Sequence, residues 1–190
     1  MLPFTSREYI VGPEWDRRVV TIKPKKKIGI AMSGGIDSWV LYNLLPKSVK
    51  IFNVARQDNM DTISHISKMT GRTDIVGYPT HTGESKIRDG LLGIVEKFDL
   101  DELYTGVNHM PPFMFFPEFD EEGCPPRPWR MNHPIIRTPF LHLYKYHIID
   151  LAKQKNIDLS NTRSCTVLPD DHCNECWQCR ERLWGYEQLL

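Results

Sequence analysis

Two stretches of this 190-residue chain bring together residue types that bind charge or metal. The first is Ser33-Gly34-Gly35-Ile36-Asp37-Ser38. Glycines let a backbone approach a phosphate closely, and a helix starting just after them presents free N–H groups and its positive dipole end. Ser33 and Ser38 add hydroxyl donors. Asp37 repels a phosphate, so its useful role is to hold a magnesium ion that bridges phosphate oxygens. The plain alternative is a tight turn between strand and helix. The second stretch is the C-terminal set Cys165, Cys173, Cys176 and Cys179, spaced C-x7-C-x2-C-x2-C. Four thiolates complete a tetrahedral zinc shell and leave no open position for a catalytic water, which makes the site structural. An iron–sulfur cluster takes the same four ligands, and His172 is an alternative to one thiolate. Cys124 stands alone and reads as an ordinary thiol.

The elements around these residues follow a repeating pattern. Residues 28–31 form an apolar run that suits a buried parallel strand, and Val40, Leu41, Leu44 and Leu45 continue at helical spacing until Pro46. Strands are expected at 49–54, 74–77 and 103–106, with helices at 57–70 and 85–98. The second helix carries Ile87, Leu91, Ile94, Val95 and Phe98 as its core stripe. This β-α-β-α-β-α-β order predicts an α/β fold with a doubly wound parallel sheet and right-handed crossovers. Ligands bind such sheets beyond the carboxyl ends of the strands, where the strand order reverses. Residues 8–11 and 18–22, with Gly12-Pro13 between them, predict a hairpin along a sheet edge. The run Lys25-Lys26-Lys27 reads as a solvated turn. Three parts result: an N-terminal hairpin extension at 1–26, a nucleotide-binding domain at 27–160 and a zinc-binding segment at 161–190.

Residues 110–134 are aromatic and proline-rich, and a long irregular loop of this kind usually binds something. Phe113, Phe115 and Phe116 read either as a pocket wall for a planar substrate or as packing on the core or a partner. A helix over 143–155 buries Ile148, Ile149 and Ala152. It places Lys145 in its first turn, where the dipole disfavours a cation and a bound phosphate would offset it. The closing helix buries Leu183, Trp184, Tyr186 and Leu190. Trp184 and Tyr186, with the aromatic loop, are the basis for expecting a homodimer.

Composition narrows the function classes. The 24 basic and 24 acidic residues cancel, so net charge gives no sign of nucleic-acid or membrane binding. No apolar run approaches the roughly 20 residues needed to span a bilayer. The first residues lack the charged start and apolar core of a signal peptide, so a cytoplasmic protein is expected.

The Ser33–Ser38 loop resembles that of the ATP-pyrophosphatase (PP-loop) superfamily, whose members cleave ATP between the α- and β-phosphates and adenylate a carbonyl or amide oxygen. It lacks the Gly-Lys-Ser/Thr ending of a Walker loop and the three spaced glycines of a dinucleotide fingerprint. With that resemblance, Val54, Ala55 and Arg56 at the end of the second core strand become candidates for the adenosine pocket. Gly106 becomes a point where a ligand passes close to the backbone. Ser164-Cys165, Cys173, Cys176, Cys179 and Arg182, preceded by Thr138-Pro139 and Lys145, sharpen the resemblance to the 7-cyano-7-deazaguanine synthase (QueC) family. The middle of the chain matches only in layout: Ala55-Arg56-Gln57-Asp58 stands where the family has Asp-Tyr-Gly-Gln.

That family implies ATP and magnesium as well as zinc, a deazapurine carboxylic acid and ammonia as reactants, and conversion of the acid first to an amide and then to a nitrile. Asp37 and Lys145 are then the catalytic residues, and Ser33, Gly34, Gly35, Asp37 and Ser38 the pyrophosphate loop. Two alternatives stay open: a related enzyme adenylating a different acid or amide, and a non-catalytic zinc-stabilised nucleotide-binding module.

Overall fold

The computed structural model describes residues 5–56, 61–80, 86–112, 133–165, 167–168 and 172–190. Phe113, Phe115, Phe116 and Cys124 lie outside them. A two-stranded antiparallel ribbon comes first, formed by β1 (Arg7–Val11) and β2 (Arg18–Ile22). The rest alternates: β3 (Ile28–Ala31), α1 (Ile36–Leu44), β4 (Lys50–Arg56), α2 (Asp61–Thr70), β5 (Val76–Thr80), α3 (Lys86–Lys97) and β6 (Glu102–Thr105). A short β7 (Ile136–Arg137), α4 (Lys145–Gln154) and α5 (Trp177–Glu187) complete it.

The five core strands form a sheet in the order β5-β4-β3-β6-β7, and every neighbouring pair is parallel. The chain leaves β3 toward β4 and β5, then returns to build β6 and β7 on the other flank of β3. The order therefore reverses between β3 and β6, and the loops after these two strands share the crevice where α/β proteins bind ligands. The expected doubly wound α/β fold is the one observed.

Both sheet faces are covered, which explains the near-continuous apolar strands. Alternation along each strand divides them. Ile28, Ile30, Ile51 and Tyr104 join Val40, Leu41, Ile148 and Ile149 in one core on the α1 and α4 side. Phe52, Leu103 and Ile136 join Leu91 and Ile94 of α3 in a second core on the opposite face. Ile87, expected in the stripe of α3, is 50% exposed at its first turn.

Two elements differ from the sequence expectation. The strand β7 is too short to show a period. It exists because Leu103 and Tyr104 pair with Ile136 and Arg137, and Pro139, which cannot donate, follows after Thr138. The N-terminal hairpin does not extend the sheet edge. It lies across α4: Gly12 N donates to Asp150 Oδ2 at 2.8 Å, Gln154 Nε2 to Ile10 O at 3.0 Å, and His142 Nε2 lies 2.9 Å from Val19 O. Tyr9, Val11, Val20 and Ile22 bury their side chains in the main core beneath it. Four inward apolar residues favour covering a helix over pairing at an exposed edge. Lys27 pairs with Asp99 at the surface, as a solvated turn would.

His147 locks the hairpin turn to α4. It is fully buried. Its Nε2 donates to Asp16 O at 2.8 Å while Nδ1 accepts from Tyr144 N at 3.1 Å. That arrangement requires the neutral ring, because a protonated Nδ1 would face another donor. Burial, aided by nearby Arg18 and opposed by the bond to Asp16, holds the His147 pKa down at about 4, against 6.5 when unfolded. The unfolded chain thus binds the extra proton first, so this contribution is complete above pH 6.5 and drains away as pH falls toward 4. We expect the unfolding midpoint to fall as pH drops from 7 to 4.5, with about 2 kcal/mol of stability lost through this group. In His147→Gln the decline over the same window, followed by circular dichroism, should be shallower.

Candidate active site and cysteine cluster

The loop after β3 is shaped by its own short polar side chains. Met32 N bonds Phe52 O at 2.8 Å and Asn53 Nδ2 donates to Met32 O at 2.8 Å, so the strand end is tied to β4. The chain then turns at Gly34, whose φ of +80° suits glycine. A Cβ there would fall 2.7 Å from the His65 ring of α2. Ser33 N donates to Ser38 Oγ at 3.2 Å, and Ser38 Oγ donates to Gly35 O at 3.1 Å. Ser38 is buried and shapes the turn, whereas Ser33 is exposed at the rim. Gly35 caps α1, so the first-turn N–H groups of that helix open toward the crevice.

Asp37, in the first turn of α1, faces Lys145, in the first turn of α4. Lys145 Nζ donates to both Asp37 oxygens at 2.6 Å, across 108 residues of sequence. Lys145 is 6% exposed, so it is no surface lysine reaching for water. A second carboxylate, Glu181 Oε2 of α5, stands 3.5 Å from the same nitrogen. Glu181 is buried, and its Oε1 accepts from Asn108 Nδ2 at 2.9 Å. The cation at the start of α4 is therefore balanced from within the chain, by two carboxylates, where the sequence alone suggested a phosphate. Ionised, Asp37, Lys145 and Glu181 sum to one negative charge, which favours an incoming cation.

Gly106 follows β6 on the other side of the switch point. A Cβ there would fall 2.8 Å from both Asp37 C and Ser38 N. The close neighbour of the Cα at this glycine is thus the backbone of α1. At the far edge, Ala55 and Arg56 do not follow the strand but continue β4, in register with Pro79 and Thr80. Val54 turns its side chain into the core with Phe52 and Leu91, as alternation from Phe52 dictates. Val54 stays partly buried at the edge of that core.

The four cysteines converge. The Sγ atoms of Cys165, Cys173, Cys176 and Cys179 all lie within 4.8 Å of one another. Tetrahedral ligation at a metal–sulfur distance of about 2.3 Å needs sulfurs roughly 3.8 Å apart, so the group fits a metal with small adjustment. Amides already point at the sulfurs: Leu168 N and Val167 N lie 3.2 and 3.4 Å from Cys165 Sγ, and Cys176 N lies 3.3 Å from Cys173 Sγ. Burial opposes ionisation of Cys165, but these amides outweigh it and bring the thiol down to about 6. Burial pushes Cys179 up to about 12. Four crowded thiolates need a cation among them, and the donor set is that of a metal centre. His172 Nδ1 sits 3.9 Å from Cys179 Sγ, beside the quartet.

The cluster is wired to the glycine loop. Arg182 on α5 donates to Thr162 O at 3.0 Å, Thr162 Oγ1 at 2.8 Å and Leu159 O at 3.2 Å. That holds the 159–164 segment so that Arg163 N reaches Gly34 O at 2.9 Å. The buried side of α5 is Trp177, Cys179, Glu181, Trp184 and Gly185; Leu183 and Leu190 are exposed. Trp184 is 6% exposed and packs edge-on against Tyr146 and Tyr144, so it offers no surface to a second copy.

Asn108 and Glu181 were not singled out from sequence. A signal was present for Glu181: it stands in the middle of the apolar stripe Trp177, Glu181, Trp184 at helical spacing. A carboxylate there needs a buried partner. Asn108 carried no such mark.

Fold and site together define an α/β protein with a glycine-rich loop at the switch point of a parallel sheet and, packed beside it, a four-cysteine group able to hold a metal. The family model described as queuosine biosynthesis protein QueC matches residues 95–190, half of the chain. The chain belongs to the QueC family. It is 42% identical over 53 residues to the 7-cyano-7-deazaguanine synthase of a Nitratiruptor species, covering 28% of this chain and 24% of that protein. Against the synthase of Campylobacter jejuni subsp. jejuni serotype O:6 it is 41% identical over 54 residues, with the same coverage. The aligned part therefore spans about a quarter of the length of these curated relatives. Among solved structures, U34-tRNA thiolase NcsA from Methanococcus maripaludis with its [4Fe-4S] cluster matches over 86% of this chain and 71% of that chain, at 15% identity and a TM-score of 0.38. The glycine loop lies outside the residues matched by the family model. Among the described residues, no helix is long and apolar enough to cross a membrane.

The contact at Gly106 gives a direct check on the site's packing. Gly106→Ala should force β6 and α1 apart and cost about 1–3 kcal/mol, read as a lowered unfolding midpoint. A midpoint equal to that of the parent would show that this approach tolerates a methyl group.

Proposed function

We propose that the chain is an ATP-dependent C–N ligase that converts 7-carboxy-7-deazaguanine to 7-cyano-7-deazaguanine. The observation that carries this reading is the ion pair of half-buried Asp37 with buried Lys145 beside the glycine loop, in a chain of the QueC family. In the first step a substrate carboxylate oxygen attacks the α-phosphorus of ATP, and the bond to the β-phosphate oxygen breaks. The loop N–H groups and Ser33 receive the departing pyrophosphate at the start of α1, where the helix dipole favours negative charge. On this reading Asp37 would hold magnesium, which when bound would draw charge from the phosphate oxygens. Lys145 offsets the charge that builds on the α-phosphate.

Adenylation turns a poor electrophile into an acyl group with a good leaving group. Ammonia then attacks the acyl carbon, AMP departs, and the nitrogen sheds a proton to give the amide. The amide oxygen attacks the α-phosphorus of a second ATP, and a second pyrophosphate departs. Loss of AMP and two protons leaves the nitrile. The cysteine quartet is read as a zinc site of structural purpose, since four thiolates close the coordination shell. Metal binding there would act as folding energy for 159–190, of about 10–16 kcal/mol in comparable small sites.

Turnover decides the reading. The metal-loaded protein with ATP, magnesium, ammonium and 7-carboxy-7-deazaguanine should yield AMP, pyrophosphate and the masses of amide and nitrile. Asp37→Ala and Lys145→Ala should each lower pyrophosphate release by about 100-fold or more. AMP formed only with other acids would move the assignment to a different substrate. ATP bound without AMP from any acid would point to a binding module.

The metal assignment has its own check. Elemental analysis should find about one zinc per chain. Chelation, or Cys179→Ser, should lower the unfolding midpoint and speed hydrogen exchange in α5 while α2 and α3 keep their protection. Iron and sulfide in the protein, with visible absorption, would replace zinc by a cluster.

A further inference from the structure

We infer that Glu181 is a positioning residue for Lys145: it keeps the ammonium in place when Asp37 turns away toward the phosphates. The inference rests on the nucleotide-site reading above, because it assigns Asp37 a second engagement. As the structure stands, Lys145 Nζ touches both Asp37 oxygens at 2.6 Å and has Glu181 Oε2 at 3.5 Å. If Asp37 were the sole counter-charge, its departure would leave a cation uncompensated in a site where the Lys145 side chain is 7% exposed. Glu181 removes that difficulty.

Glu181 is itself held still. Its Oε1 accepts from Asn108 Nδ2 at 2.9 Å, and the same Asn108 nitrogen lies 3.2 Å from His109 O. Asn108 follows β6 in the crevice that also holds Gly106 against α1. The second carboxylate is thus tied to the segment after β6, while Asp37 stands in the first turn of α1, directly after the glycine loop. One helical turn after Glu181, Gly185 lies over the lysine stem: a Cβ there would fall 2.8 Å from Lys145 Cγ and 2.9 Å from Ile149 Cδ1. Helix α5 therefore fixes Lys145 twice, by charge at its tip and by shape along its stem. A carboxylate within the apolar side of α5 is otherwise costly, and no surface role accounts for it.

The test reads the lysine itself. Asp37→Asn imitates an Asp37 engaged elsewhere without requiring nucleotide. Acetylation by acetic anhydride, mapped by mass spectrometry, reports how freely each lysine amine reacts, with Lys153 on the outer part of α4 as the internal standard. We expect Lys145 to stay protected in Asp37→Asn, within about 3-fold of the parent, and to react at least about 10-fold faster in Asp37→Asn/Glu181→Gln. Asp37→Asn/Asn108→Ser, which loosens only the anchor of Glu181, should fall between them and keeps the test readable if the first double variant does not fold. A double variant that reacts like Asp37→Asn alone, or an Asp37→Asn protein already fully reactive at Lys145, overturns the inference.

Kinetics then separate positioning from simple support of the fold. Glu181→Gln should lower kcat for pyrophosphate release by about 10-fold while KM for ATP moves less than about 3-fold, and Glu181→Asp should restore part of the loss. A change confined to KM, or no change, counts against Glu181. If the parent protein releases no pyrophosphate from any acid, the adenylation reading fails, and the acetylation result still decides whether Glu181 holds Lys145.

Discussion

Everything at the candidate site depends on one ammonium group buried between two carboxylates. Lys145 comes from α4, Asp37 from α1 and Glu181 from α5. A cation this enclosed is stable only while its partners are present and well placed, and removing one partner of such a pair is far costlier than never having built it. The three helices must therefore converge at one point, and much of the tertiary structure reads as the means of bringing them there. The sheet supplies the platform: β3 ends in the loop that starts α1, and Gly106 after β6 lets the α1 backbone settle against it.

The cysteine-rich end belongs to the same construction. Cys176 and Cys179 stand at the start of α5, and Glu181 follows within the same turn. Arg182 faces the other way and gathers the 159–164 segment, which reaches Gly34 through Arg163 N. A metal at the quartet would thus order both the second carboxylate on Lys145 and the outer wall of the glycine loop. The quartet and Glu181 share α5, so whatever orders the cysteines also fixes the helix that carries the second carboxylate to Lys145.

The N-terminal hairpin serves a different end. Its inward residues cover α4, and the Asp16 turn grips His147 and Tyr146 from outside. The same helix that offers Lys145 at its first position is thereby clamped on its far side. The hairpin's contacts fall on α4 and the residues just before it, and its contribution is to hold α4 in place. The family match falls on residues 95–190, which contain α4, the quartet and α5; the glycine loop, outside that match, supplies the other half of the site.

The sequence by itself determined the features that depend on near neighbours. The glycine turn between an apolar strand and a helix, the spacing of four cysteines, the alternation of strands and helices, and the place of Lys145 in a first turn are all local patterns. Chain stereochemistry and metal geometry read them within about ten residues. Tertiary structure decided what these residues face. Lys145 meets Asp37 across 108 positions, and Glu181 takes a core place on α5 that a hydrophobic pattern would give to Leu183. Gly106 lies close against the α1 backbone, and the hairpin covers α4 where a sheet edge was expected. Charge pairing, close approach and the choice of which surface an apolar face covers act between segments distant in sequence. No local period encodes them, and only the assembled sheet and helices bring the partners within reach.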